Sequence, residues 1–147
     1  MSSSAATAPS FGPRHLDFLL HDDVDRVAAG VEFVRAALAD WHLGAGPPPG
    51  DDERAVDVVL VTAELVGNAE RHGGGTRSLD VERRDGRLRL TIHDRSGLPP
   101  LPVRPHRAGH ASGHGLYIVD RLCTAWGWER DSGGKAVWAE LPAPLAP

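Results

Sequence analysis

The chain has 147 residues, 41% of them hydrophobic and 24% charged, with a formal net charge of -4. That length and balance suit one globular domain with a substantial core, and the acidic excess offers no general attraction to nucleic acid or to an anionic membrane. A lone cysteine, Cys123, excludes an internal disulfide and a cysteine-rich zinc site, and no apolar run approaches the roughly 18 residues of a membrane span.

Residues 1–13 are rich in Ser, Ala and Pro, read as a disordered tail, and lack the charged and apolar regions of a signal peptide. A cytoplasmic location is expected. His15 to Leu20 can form a first strand. His21-Asp22-Asp23 supplies helix-starting signals, and Val24, Val27, Val31, Val34 and Leu38 give a core stripe for a helix from about Asp23 to Trp41. The run GAGPPPG at 44–50 breaks the chain. A second helix follows, capped by Asp51 or Asp52 and closed by Gly73-Gly74-Gly75. Its apolar residues fall on two lines, Val58, Leu65 and Ala69, and Val56, Leu60 and Ala63, which together predict one broad buried face.

The period then changes to two. Leu79, Val81 and Arg83, then Leu88, Leu90 and Ile92, predict two strands joined by a tight Asp85-Gly86 turn. Residues 97–112 carry four prolines and no period, which reads as a functional loop. Gly113-His114-Gly115 opens a helix to about Ala125, with Leu116, Val119, Leu122 and Cys123 inward. Trp126–Arg130 and Lys135–Leu141 form a closing hairpin, with Lys135 read as a solvent-facing strand residue. The order predicts an α+β fold, a two-layer sandwich in which a mixed, mostly antiparallel sheet is covered on one face by helices. Residues 14–141 form the single expected domain, and 142–147 a tail.

Glu64 and Asn68 stand four apart, so they share one helix face. They are either a solvated polar surface or a general base beside a metal ligand.

Three motifs carry a resemblance. They are Glu64-Leu65-Val66-Gly67-Asn68-Ala69-Glu70-Arg71-His72, then Asp94-Arg95-Ser96-Gly97, then Gly113-His114-Gly115-Leu116-Tyr117-Ile118-Val119. In that order the chain resembles the histidine-kinase-like (GHKL) ATPase superfamily, through an N box and two glycine boxes. Within it the chain is similar to the small anti-sigma-factor serine-protein kinases of the RsbW and SpoIIAB type, which the closing Gly134–Leu141 also matches. The resemblance spans roughly residues 16–141 and implies a Bergerat-type ATP-binding fold.

The resemblance implies ATP and Mg2+ as cofactors. Asn68 would hold Mg2+ through its amide oxygen, which suits an ion that prefers oxygen ligands. Glu64 would be the catalytic base, taking a proton from a serine hydroxyl or from water. Asp94 would accept the exocyclic amine of adenine, and Gly97 would allow close approach of the base. Gly109 would hinge the lid. Gly113, His114, Gly115 and Leu116 would cradle phosphate at a helix N-terminus. Arg71 and His72 either approach phosphate or cap the helix. The pattern departs at Ser96 and Leu98, where glycines are usual, at Ser112, where another glycine is usual, and at His114, where arginine is frequent. It departs again at Ala136, where many relatives carry threonine and where a lost hydroxyl would remove a hydrogen bond near the nucleotide.

The implied function is phosphorylation of a STAS-like anti-anti-sigma partner and binding of a sigma factor, by a homodimer that touches neither DNA nor membrane. A non-catalytic nucleotide-binding partner switch and a simple ATPase, in which Glu64 activates water, are the alternatives.

Overall fold

The computed structural model describes residues 12–18, 25–43, 53–100 and 111–144, with side chains in the last helix described from Tyr117 onward. Strand β1 (Arg14–Asp17) leads to helices α1 (Arg26–Asp40) and α2 (Glu53–His72). The hairpin β2 (Thr76–Arg84) and β3 (Arg87–Asp94) follows, then α3 (Ala111–Leu122), then the hairpin β4 (Ala125–Asp131) and β5 (Gly134–Pro142). Residues 1–11 and 145–147 of the expected tails, the 44–50 break and the Asp51 or Asp52 cap lie outside the described residues; at the C-terminal end Pro142 still belongs to β5, and Ala143 is buried with its N-H donated to Gly86 O at 2.8 Å.

Among the described residues five strands form one sheet in the order β1-β2-β3-β5-β4, and its four pairings are antiparallel. The α+β sandwich expected from the sequence is therefore present. Asp85 and Gly86 both have positive φ, 47° and 77°, the backbone that a two-residue hairpin needs to match strand twist. Alternation sends Leu79 and Val81 of β2, Leu88, Leu90 and Ile92 of β3, and Val137, Ala139 and Leu141 of β5 into the core beneath the helices. Fully burying a large apolar side chain of this kind contributes roughly 1.5–3 kcal/mol.

Two expectations for the helices change. α1 starts later than Asp23, because Asp25 is its N-cap and accepts from Ala28 N at 3.1 Å. Such a cap is worth about 1 kcal/mol. Its core contact comes from Val34, Ala37 and Leu38. In α2 only one apolar line is buried. Val58, Val61, Leu65, Val66 and Ala69 face the core, whereas Val56 and Leu60 are 49% and 43% exposed. Val56 and Leu60 each precede a buried position by two residues, about 200° around the helix, so they cannot share its face. They line a groove of about 500 Å³ between α1 and α2 with Arg35, Leu38, Leu43 and Val59.

Candidate functional site

Three chain segments converge at one end of the sheet. α2 stops because the three glycines turn sharply: Gly73 N and Gly75 N both donate to Ala69 O, at 2.9 and 3.1 Å. Glu70 ties the turn to β2 by accepting from Thr76 N at 2.6 Å and Thr76 Oγ1 at 2.8 Å. The end of β3 docks on the same turn, with Arg95 N donating to Gly73 O at 2.9 Å. The start of β5 presses on β3 from the other side. A Cβ on Gly134 would collide with Asp94 O and stand 2.6 Å from the Arg95 carbonyl carbon.

Asp94 lies at the centre of this junction and is 2% exposed. A Cβ on Gly73 would stand 2.5 Å from its Oδ2, so the last turn of α2 lies directly against the carboxylate. Lys135 Nζ donates to Oδ2 at 2.8 Å and to Oδ1 at 3.1 Å, and Ser96 N donates to Oδ1 at 2.9 Å. Lys135, expected at the solvent, is 3% exposed. Its position follows from strand period: Lys135, Val137, Ala139 and Leu141 alternate onto one face, the core face. Residue type alone places a lysine at the surface; the β5 alternation places this one inside.

Does this carboxylate fit the amine of adenine? A carboxylate offers about four acceptor positions. Among the described residues three are engaged, by two contacts from Lys135 and one from Ser96. Counted over the described residues, one position is left for a single N-H donor, on an Oδ2 that the last turn of α2 already covers on one side. The donor set therefore fits an exocyclic amine that shares Asp94 with Lys135.

The other sequence-derived residues spread along two walls. Asn68 is 8% exposed and Glu64, one turn earlier, is half-buried, so this face of α2 is not a freely solvated surface. His72 is exposed at the end of α2. Arg71 lies back along its own helix, since a Cβ on Gly67 would stand 3.0 Å from Arg71 Nη1. Gly97 is exposed in the loop after β3, and its carbonyl accepts from Arg130 Nε at 2.9 Å. Gly113, His114, Gly115 and Leu116 fall inside the first turns of α3, which begins two residues before Gly113, and their side chains lie outside the described residues. Gly109 also lies outside them. α2 and α3 pack against each other.

Ala136, expected near the nucleotide, faces the other way. It pairs with His93, whereas Asp94 pairs with Lys135. Paired residues share a face and neighbours alternate, so position 136 looks out of the sheet on the side away from the Asp94 carboxylate. A hydroxyl there would not lie beside it.

That outer face carries an ionic lattice with no motif in the sequence to announce it. His93 Nε2 lies 3.1 Å from Asp80 Oδ2, and Nδ1 lies 3.0 Å from Asp131 Oδ2. His15 Nδ1 contacts Asp80 Oδ1 at 2.6 Å. Arg77 Nη2 donates to both oxygens of Asp131, at 2.7 and 2.8 Å. The Asp80 bond, against partial burial and with help from Asp131, raises the His93 pKa above its ordinary 6.5. Partial burial works against Asp131, but hydrogen bonds from His93 and Arg77 outweigh it and hold the carboxyl down at about 2. A β-bulge between Thr76 and Ser78 takes Arg77 out of the regular ladder. Polar cross-strand contacts, here within the β1-β2-β3 ribbon and across β5 to Asp131, give no period in the sequence, so only the fold displays them.

Comparison with known proteins adds one family. A profile described as the histidine kinase-like ATPase domain matches residues 22–141, which takes in every segment of the junction. No curated protein matches the chain.

Proposed function

The chain belongs to the histidine kinase-like ATPase domain family, and from that premise we propose that it is an ATP-binding serine-protein kinase of the anti-sigma-factor type. Family membership itself carries the general reading of an ATP-binding domain. The finer reading is the RsbW and SpoIIAB type branch, with a STAS-like anti-anti-sigma protein as phosphate acceptor, a sigma factor as second partner, and a cytoplasmic homodimer as the working form.

The observation that supports it is the buried Asp94 carboxylate at the end of β3, lying against the last turn of α2 with one acceptor position left among the described residues, and the half-buried Glu64 and buried Asn68 on α2. On this reading Asp94 takes the adenine amine. Asn68 supplies an oxygen to Mg2+, and His72 lies at the phosphate end. Gly97 and Gly109 flank the lid, and Gly113, His114, Gly115 and Leu116 receive phosphate at the start of α3. Bound ATP would supply the transferable phosphoryl group, and Glu64 would accept the proton of the attacking serine hydroxyl.

A second reading is favoured by Lys135. A carboxylate already holding a buried ammonium offers a nucleotide less than a free one does, which suits a partner switch that binds nucleotide weakly and transfers nothing. A simple ATPase, with Glu64 acting on water, is the third.

The test is Mg2+-dependent ATP binding by calorimetry, for wild type and Asn68→Ala, followed by phosphate transfer to candidate STAS-like domains. The kinase reading expects transfer that Glu64→Ala abolishes, and a loss in the Asn68 variant of ~10-fold or more in affinity, about 1.4 kcal/mol. Binding without transfer to any candidate moves the protein to the switch reading. Phosphate released to water without any partner moves it to the ATPase reading. A wild type that binds no ATP removes all three.

A further inference from the structure

We propose that His93, held as an imidazolium between Asp80 and Asp131 on the outer face of the sheet, is a positioning residue for the Asp94 turn on the inner face. Its consequence for nucleotide binding rests on the functional reading above; the coupling between the two faces does not.

A neutral imidazole carries one N-H, so it donates to one carboxylate and turns a lone pair on the other. His93 has a carboxylate oxygen at each ring nitrogen, 3.1 Å away on Asp80 and 3.0 Å away on Asp131. Only the doubly protonated ring satisfies both.

The link to the inner face runs through Arg77. Asp131 receives Arg77 Nη2 at both oxygens and Gly133 N at 3.0 Å. Arg77 Nε in turn donates to the main-chain oxygen of Asp94 at 2.9 Å. The same oxygen is crowded by Gly134, and a Cβ on Gly133 would stand 2.6 Å from Arg77 Nη1. His93, Asp131, Arg77 and the Asp94 carbonyl thus form a continuous chain of hydrogen bonds from one sheet face to the residue at the centre of the candidate site.

The path across β5 is open because small residues occupy it. Ala136 is the register partner of His93, and Gly134 is the partner of Asp131. Ala136 therefore has a reason of its own: a β-branched residue there would stand between the imidazole and β4.

The charged groups that face His93 fix the sign. From β2 come Asp80 and Arg77, with His15 of β1 reaching Asp80. From β4 come Asp131 and, opposite Ala136, the exposed Glu129. β5 presents Ala136 and Trp138, and β3 itself presents Thr91 and Arg89, the last paired with Glu140. Carboxylates contact both nitrogens and Arg77 is already bound to one of them, so protonation is favoured. When the proton leaves, one carboxylate contact becomes repulsive and the Arg77 clamp on Asp94 loosens.

The test is a titration of the full chain by NMR from about pH 5 to about pH 9, following the His93 ring and the backbone amides of Arg95 and Ser96. The expected result is a His93 midpoint above the ordinary value, with both amides shifting at that same midpoint. In His93→Gln the amides lose the transition. Amides that stay flat while His93 titrates in the wild type overturn the proposal, and so does a transition that persists in His93→Gln. The wild-type result alone decides the matter if the variant does not fold. ATP affinity measured over the same range is expected to fall ~3-fold or more above the midpoint in the wild type only. If ATP does not bind at any pH the kinase reading fails, and the amide titration still decides this one.

Discussion

Lys135 Nζ stands 2.8 Å from Asp94 Oδ2, and the two side chains are 4% and 3% exposed. Lys135 is the chain's only lysine. Neither partner is tolerable alone at that depth, because an unpaired buried charge keeps its desolvation cost and loses its compensation. Lys135→Met is therefore expected to lose about 3–5 kcal/mol of unfolding free energy in urea. Adding Asp94→Asn should recover most of that loss, since the charge left behind is then gone. A single variant that costs less than ~1 kcal/mol would show that the pair is not buried as described.

The stability of the outer lattice should depend on pH on two sides. Asp131 is held at about 2 against an ordinary 3.8, with burial opposing the shift and bonds from His93 and Arg77 producing it. A lowered carboxyl contributes stability that is complete above its unfolded value and is lost as pH falls through the folded one. The acid loss therefore runs from about pH 4 down to about pH 2, on the order of 1–2 kcal/mol. His93 is shifted the other way, chiefly by the Asp80 bond. A raised histidine contributes fully below 6.5 and loses its contribution as pH rises through the folded value. Urea midpoints should thus plateau between these limits. His93→Gln should flatten the alkaline limb and leave the part of the acid limb that Arg77 supplies, whereas Asp131→Asn should shrink the acid limb itself.

Much of this architecture is legible in sequence because it rests on period and turn chemistry. The two-residue Asp85-Gly86 turn, the three glycines after α2 and the alternation of Leu88, Leu90 and Ile92 need no tertiary information. The Val56–Leu60 line misleads because apolar residues on a helix mark a face, and the chain does not state which faces find partners. Lys135 was readable in principle from its place in the β5 alternation, against the prior that lysine is exposed. The lattice of His15, Asp80, His93, Asp131 and Arg77 was not readable, because its members meet only after four pairings and one bulge have set their register. Asn68 and Asp94 stand in motifs that the sequence displays; that α2 ends against Asp94 through Gly73 is a fact of packing.

Cys123 should be chemically quiet. Burial, followed by the nearby charges of Asp120 and Asp57, pushes its thiol up to about 12. Only the thiolate reacts with alkylating agents, so at about pH 8 the folded chain should react ~100-fold or more slowly than an unstructured cysteine peptide. Iodoacetamide labelling followed by mass measurement checks this. Rapid labelling of the folded chain would contradict it, and a rate that rises steeply with urea would show that opening limits the reaction.

Gly134 is expected to be the least replaceable glycine at the Asp94 junction, and Gly86 provides its control. Both have positive φ, 151° and 77°. Around Gly86 a Cβ would meet nothing within 4 Å, so Gly86→Ala carries only the backbone penalty, about 1–2 kcal/mol. At Gly134 the same methyl would strike Asp94 O and stand 2.6 Å from the Arg95 carbonyl carbon and 2.8 Å from Arg95 Cα. These are backbone atoms that cannot rotate aside, so β5 must separate from β3 at that end. The separation pulls Lys135, the next residue, from Asp94 and removes the support that holds the carboxylate. Gly134→Ala should therefore cost well beyond the control, on the order of 3 kcal/mol or more, and should weaken ATP binding where Gly86→Ala leaves it intact. Urea unfolding and calorimetry on the two variants give both readings, and equal costs at the two positions would rule out the close approach of β5 to the Asp94 turn.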